Sequence, residues 1–277
     1  MFKKIAIIGL GLMGGSLAAA CRRRFPGAYV AGISRNPKAL ALAKRKKWVH
    51  EATDRLLDGV RNADVIVLCT PVGSFLPSLR QIDRVCKKDA LVMDVGSVKG
   101  EVLRQVNAGQ WKNLSFVGCH PMVGSHERGI GAACPRLYDG GLILLTPDKK
   151  TCPRSFKQAK QFWNRFSGKI VSISPGVHDR FVGEISHLPH ALAVCLMHAV
   201  SAPSLKFAAT GFRHTTRIAA SDSSIWQPIF LANKKEILGA IGRFEKVLRQ
   251  FKKNLCCGNS RSLVRFLDEA RRKRQAI

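Results

Sequence analysis

Three glycines at positions 9, 11 and 14 sit in the run Gly9-Leu10-Gly11-Leu12-Met13-Gly14. They follow the apolar stretch Lys4-Ile5-Ala6-Ile7-Ile8 and open a segment of helical spacing over 13–24. In that context the G-x-G-x-x-G pattern has a physical meaning. The first glycine makes a tight turn, the second lets a pyrophosphate approach the backbone, and the third lets helix pack on strand. The helix start adds unpaired N–H groups and the positive end of a dipole, both suited to phosphates. The expected ligand is a dinucleotide held by Gly9, Gly11, Leu12, Met13 and Gly14, with Thr70 and Pro71 as further contacts just past the strand over 64–69. The second strand ends at Ile33 and continues Ser34-Arg35-Asn36, without the carboxylate that grips an NAD ribose. Ser34 can hydrogen-bond a 2′-phosphate and Arg35 can pair with it, so the sequence favours NADP over NAD.

A second set of groups suits proton transfer. Six of the eight histidines (His120, His126, His178, His187, His190 and His214) fall in four short segments rich in glycine, serine, proline and arginine. One of these segments, 118–129, and the run Asp94-Val95-Gly96-Ser97-Val98-Lys99 each follow a predicted strand. Ends of strands are where open α/β sheets bind ligands. Imidazole titrates near neutral pH and so serves as a general base.

The elements that must position these groups read as α/β. Apolar runs without alternation over 4–8, 28–33, 64–69, 90–94, 115–118, 142–145 and 169–173 are separated by helical stretches, the signature of a parallel sheet covered on both faces. After Pro175-Gly176 the strand signal stops, and helices are predicted over 184–201, 224–255 and 262–274. The expected architecture is a Rossmann-type doubly wound parallel sheet over 1–174, followed by an all-helical domain over 175–277. The apolar helix faces of the second domain suggest a homodimer.

Composition narrows the class. With 277 residues and 46% apolar content the chain can bury a real core, and no run approaches the roughly 20 apolar residues of a membrane span. The start, Met1-Phe2-Lys3-Lys4 leading to Ala18-Ala19-Ala20-Cys21, imitates a short export signal, but the three spaced glycines are foreign to a leader, and a cytoplasmic protein is expected. Nine cysteines without a C-x-x-C pair fit a reducing compartment and no metal site. The net charge of +28 would favour anionic partners in general. Aromatics are only 7% and none interleave with the basic clusters, so no specific nucleic-acid surface is expected.

Together, the blocks G-L-G-L-M-G-G-S-L from Gly9, D-V-G-S-V-K from Asp94, H-P-M-V-G-S-H from His120, S-H-L-P-H from Ser186 and T-R-I-A from Thr216 resemble, in order, the prephenate/arogenate dehydrogenase family of tyrosine biosynthesis, in its monofunctional form. The resemblance implies oxidative decarboxylation of a cyclohexadienol acid: hydride leaves the hydroxyl-bearing carbon, CO₂ leaves the opposite carbon, and the ring becomes aromatic. It implies that His120 accepts the hydroxyl proton, that Ser97 hydrogen-bonds and orients His120, and that Ser125, His190 and Arg217 contact the substrate. His126 and His214 stand where the family often carries acidic residues, so a carboxylate gate is not expected here. A pocket of His126, His190, His214 and Arg217 suits the dianion prephenate better than arogenate, whose ammonium would want an acid, although NADP-linked relatives often take arogenate. Two other readings remain. A β-hydroxyacid dehydrogenase shares the glycine turn but needs a helix-borne catalytic lysine, for which no convincing equivalent is present. A basic nucleic-acid-binding protein with a Rossmann domain rests on the charge alone.

Overall fold

The computed structural model describes residues 2–124 and 127–277. Eight strands run through the first part: β1 Lys4–Ile8, β2 Tyr29–Ile33, β3 Glu51–Thr53, β4 Val65–Leu68, β5 Ala90–Asp94, β6 Leu114–Pro121, β7 Leu142–Thr146 and β8 Lys169–Ser172. Between them lie α1 Leu12–Arg24, α2 Pro37–Arg45, α3 Leu56–Val60, α4 Phe75–Ile82, α5 Gly100–Ala108 and α6 Pro153–Trp163. After β8 come helices only: α7 Pro175–Val182, α8 Leu188–Ala199, α9 Ala202–Leu205, α10 Thr210–Thr216, α11 Ser223–Ala232, α12 Lys234–Cys256 and α13 Ser260–Gln275.

The strands form one sheet in the order β3-β2-β1-β4-β5-β6-β7-β8. Its first six positions are the doubly wound dinucleotide-binding order, which reverses direction between β1 and β4. All pairings are parallel except β6 with β7, where His120 faces Leu144. The apolar runs that suggested an all-parallel sheet cannot reveal this reversal, because a strand buried on both faces reads the same in either direction. Pairing with β7 also carries β6 through to Pro121, so His120 lies within a strand rather than beyond one.

Two cores flank the sheet. One packs α1 and α6 through Leu17, Phe25, Phe162 and Trp163 against the odd positions Ile5 and Ile7 of β1. The other packs α4 and α5 through Leu79, Ile82, Val102 and Val106 against Ile66 and Val92. Side chains that alternate faces along each strand explain the split. Helical spacing predicts one helix over 224–255, whereas the structure ends α11 at Ala232 and starts α12 at Lys234. Asn233 between them turns its side chain inward to donate to the Asp179 carbonyl at 2.8 Å.

Candidate active site

The turn after β1 is built as the glycine pattern requires. Gly9 has φ +96°, and a Cβ there would come within 2.7 Å of the Cys69 carbonyl oxygen at the end of β4. Its N–H donates to the Ile33 carbonyl at 2.8 Å, which clamps the turn to β2. A Cβ on Gly14 would lie 1.8 Å from the Gly9 carbonyl oxygen, so only glycine lets α1 start this close to the strand. Gly11 has open space where its Cβ would be. That space belongs to a cleft of about 890 Å³ over the switch point, lined among others by Gly9, Gly11, Ser34, Arg35, Thr70 and Pro71. These residues fit a dinucleotide: two glycines shape the turn and the third leaves room for a pyrophosphate at a helix N-terminus. Leu12, Met13 and Gly14 form the first turn of α1 instead of the cleft wall. Met13 anchors that turn, its carbonyl accepting from the buried Tyr138 hydroxyl at 2.9 Å.

Arg35 is exposed, and the Ser34 hydroxyl oxygen accepts from the Asn36 N–H at 3.2 Å. Asn36 caps α2 by accepting from Lys38 N. The cleft wall also includes Asp54, which follows β3. Reading β2 alone misses that carboxylate, because β3 contributes only three residues and leaves no clear period.

Around His120 the sheet and the first helix after it meet. His120 is half-buried on β6, and its Nδ1 lies 2.8 Å from His178 Nε2 on α7. His178 Nδ1 is in turn 2.7 Å from Asp179 Oδ1. Asp179 also accepts from the backbone N–H groups of Lys99 at 2.8 Å and Gly100 at 2.7 Å, at the start of α5. Beneath them Lys99 Nζ donates to Asp94 Oδ2 at 2.5 Å and to the Gly96 carbonyl at 2.7 Å. Burial drives the His120 pKa well below the ordinary imidazole value, and the nearby Lys99 cation adds to that. His178 is lowered too, burial outweighing its bond to Asp179. Burial alone would raise Asp179, but the bonds from His178 and the two backbone amides turn the net shift downward, so it is a carboxylate.

Ser97 is half-buried in the turn between β5 and α5, and among the described residues no hydrogen bond joins it to His120. The partner on Nδ1 is His178. In the sequence, an acid directly following an imidazole, Asp179 after His178, is the one local signal of this pair.

On α8, His190 is buried and stacks on Trp226 of α11, ring centroids 3.5 Å apart and planes 13° from parallel. His187, on a π-helical turn over Gly183–His187, packs edge-on to the same indole and shares Asn233 with Asp179. Burial lowers its pKa to about 4. Arg217 and His214 are exposed, and the turn Arg217–Ala220 packs against α8. Ser125 and His126 lie outside the described residues. No group of three or more His, Cys, Asp or Glu among the described residues could hold a metal ion. No helix there is long and apolar enough to cross a membrane.

Comparison with known proteins bears on this arrangement. The family model for the nucleotide-binding domain of prephenate dehydrogenase matches residues 17–172, and that for the dimerization domain of prephenate dehydrogenase matches 174–269. The chain belongs to the prephenate dehydrogenase family. It is 34% identical to a prephenate dehydrogenase of Bacillus subtilis over 90% of this chain and 68% of that protein. It is 30% identical to a cyclohexadienyl dehydrogenase of Zymomonas mobilis over 100% of this chain and 97% of that protein. The structure of prephenate dehydrogenase from A. aeolicus in complex with hydroxyphenyl propionate and NAD+ superimposes with a TM-score of 0.92 at 32% identity, covering 100% of this chain and 98% of that one. Arogenate dehydrogenase of Synechocystis superimposes with a TM-score of 0.84 at 28% identity, covering 99% of each. The chain is thus a dehydrogenase that uses a nicotinamide cofactor.

Proposed function

We propose that this chain carries out the NADP-dependent oxidative decarboxylation of prephenate to 4-hydroxyphenylpyruvate, a step of tyrosine biosynthesis, with His120 as the general base. The observation that carries the reading is the half-buried imidazole on β6, bonded through Nδ1 to His178 and, among the described residues, making no hydrogen bond through its other nitrogen. The bound nicotinamide supplies the hydride acceptor. His120 takes the ring hydroxyl proton as the C–O bond gains carbonyl character, and its lowered pKa keeps it in the base form at neutral pH. Loss of CO₂ and aromatisation make the step irreversible. His190, His214 and Arg217, with Ser125 and His126, contact the substrate; Arg217 suits bidentate recognition of a carboxylate. Arg217 is a permanent cation and this set holds no carboxylate to receive an ammonium, which favours prephenate over arogenate.

Gly9, Gly11, Thr70 and Pro71 hold the dinucleotide, with Leu12, Met13 and Gly14 opening the helix over its pyrophosphate. Ser34 and Arg35 in the cleft wall support a 2′-phosphate, hence NADP. NAD is the second reading, favoured by Asp54 in the same wall, since a carboxylate there could accept from a ribose 2′-hydroxyl. The division into a dinucleotide-binding domain over 1–174 and a substrate and dimerisation domain over 175–277 is supported by β8 ending at Ser172 and α7 starting at Pro175. Exposed Leu238, Val247, Leu248 and Leu255 on α12 support a homodimer through the helical part. Nine free cysteines accord with a cytoplasmic location.

The test is a matrix of prephenate and arogenate against NADP and NAD, following reduced nicotinamide. We expect the highest kcat/KM for prephenate with NADP. Higher kcat/KM with arogenate would reassign the substrate, and a clear preference for NAD would move the cofactor role from Arg35 to Asp54.

A further inference from the structure

We propose that His178 and Asp179 form a positioning relay that fixes the tautomer of His120, so that its Nε2 carries a bare lone pair facing substrate. The inference rests on the base role of His120 given above.

The direction of the chain follows from what each atom can do. The Asp179 carboxylate only accepts, and it accepts from three donors: the Lys99 and Gly100 N–H groups and His178 Nδ1. His178 Nδ1 therefore carries a hydrogen. In a neutral ring the other nitrogen, Nε2, is then an acceptor, and the group 2.8 Å from it, His120 Nδ1, must be the donor. A hydrogen on His120 Nδ1 leaves Nε2 as the basic atom. No other tautomer of the two rings gives every short contact both a donor and an acceptor. The relay spans two parts of the fold: Asp179 and His178 ride on α7, His120 on β6, and the amides that pin Asp179 stand at the start of α5. His178 is fully buried and Asp179 nearly so, which leaves little freedom for water to substitute for either partner.

When His120 Nε2 receives the hydroxyl proton, the ring becomes an imidazolium. The proton stays on Nε2, the Nδ1–H bond to His178 persists, and the Asp179 charge at the far end stabilises the new cation without being protonated. That stabilisation matters here because Lys99 sits nearby and opposes it. His178 and Asp179 do not touch the reacting atoms; they act through His120.

The relay is tested on protein labelled with ¹⁵N-histidine and loaded with NADP+. His120 is assigned by the resonances missing from His120→Asn. We expect its Nδ1 to be protonated in the unsubstituted protein. In His178→Leu that preference should disappear. There kcat should fall about 10- to 100-fold, the scale on which loss of a partner that orients a histidine is felt, with KM for prephenate unchanged. His178→Gln, whose amide oxygen can accept from His120 Nδ1–H, should restore the tautomer and most of kcat. An Nε2-protonated His120 in the unsubstituted protein overturns the relay even if His178→Leu fails to fold. Full kcat in His178→Leu, with His120→Asn inactive, overturns the relay alone. Full kcat in His120→Asn overturns the base role beneath it.

Discussion

Lys99 and Asp94 form a 2.5 Å ion pair with neither side chain exposed to solvent. The pair lies next to β6, and Asp94 also accepts from the Cys119 N–H at 3.0 Å, one residue before His120. Buried charges persist only when their polar atoms are satisfied, and removing one partner leaves the other stranded in a poor solvent.

Lys99→Met should therefore lower stability by about 3–5 kcal/mol, read as the shift in the urea unfolding curve. Lys99→Met combined with Asp94→Asn should recover only part of that loss: the amide oxygen can still accept from the Cys119 N–H without carrying a charge, but the amide nitrogen cannot accept from the Gly96 N–H as Oδ2 does. A single variant as stable as the parent would show that the pair is not held as tightly as its geometry implies.

The stability of the protein should fall with pH over a defined window. Unfolded, His120, His178 and His187 titrate near their ordinary value of about 6.5. Folded, all three are lowered, His187 to about 4. Between those values the unfolded chain binds more protons, so the contribution is complete above about 6.5 and is lost as pH falls toward 4. His187 alone accounts for about 3 kcal/mol over that range. Unfolding curves at pH 7 and pH 5 check this; equal stability at both would contradict the burial of these rings. In the same direction, the acid limb of kcat should lie below pH 6.5, because His120 remains in the base form there.

Cofactor choice should turn on Arg35. Arg35→Ala removes a charge-assisted bond worth about 1.5–3 kcal/mol. We expect KM for NADP to rise roughly 10- to 150-fold with little change for NAD. An equal effect on both dinucleotides would mean that Arg35 serves the general positive potential of the surface rather than the 2′-phosphate.

Much of this site can be read from the chain because its signals are local. The glycine turn is contained in six residues, and the two contacts that demand glycine, at Gly9 and Gly14, are made within that turn and with the neighbouring strand end at Cys69. His120 could be picked out because it opens a distinctive block. Its hydrogen-bond partner could not, since His178 is 58 residues away and meets it only when α7 folds back over β6. The break at Asn233 is hidden for a similar reason: helical periodicity continues through it, and the tertiary bonds to Asp179 and His187 decide the matter. Asp54 is not legible in the sequence because the strand it follows, β3, is three residues long and exists by pairing with β2.

The most direct test is the turnover of His120→Asn with prephenate and NADP, alongside the affinity of the variant for NADP. We expect unchanged NADP binding and a loss of kcat of about 10²–10⁴-fold, the range for removal of a general base. Near-normal turnover in that variant would contradict the assignment of His120.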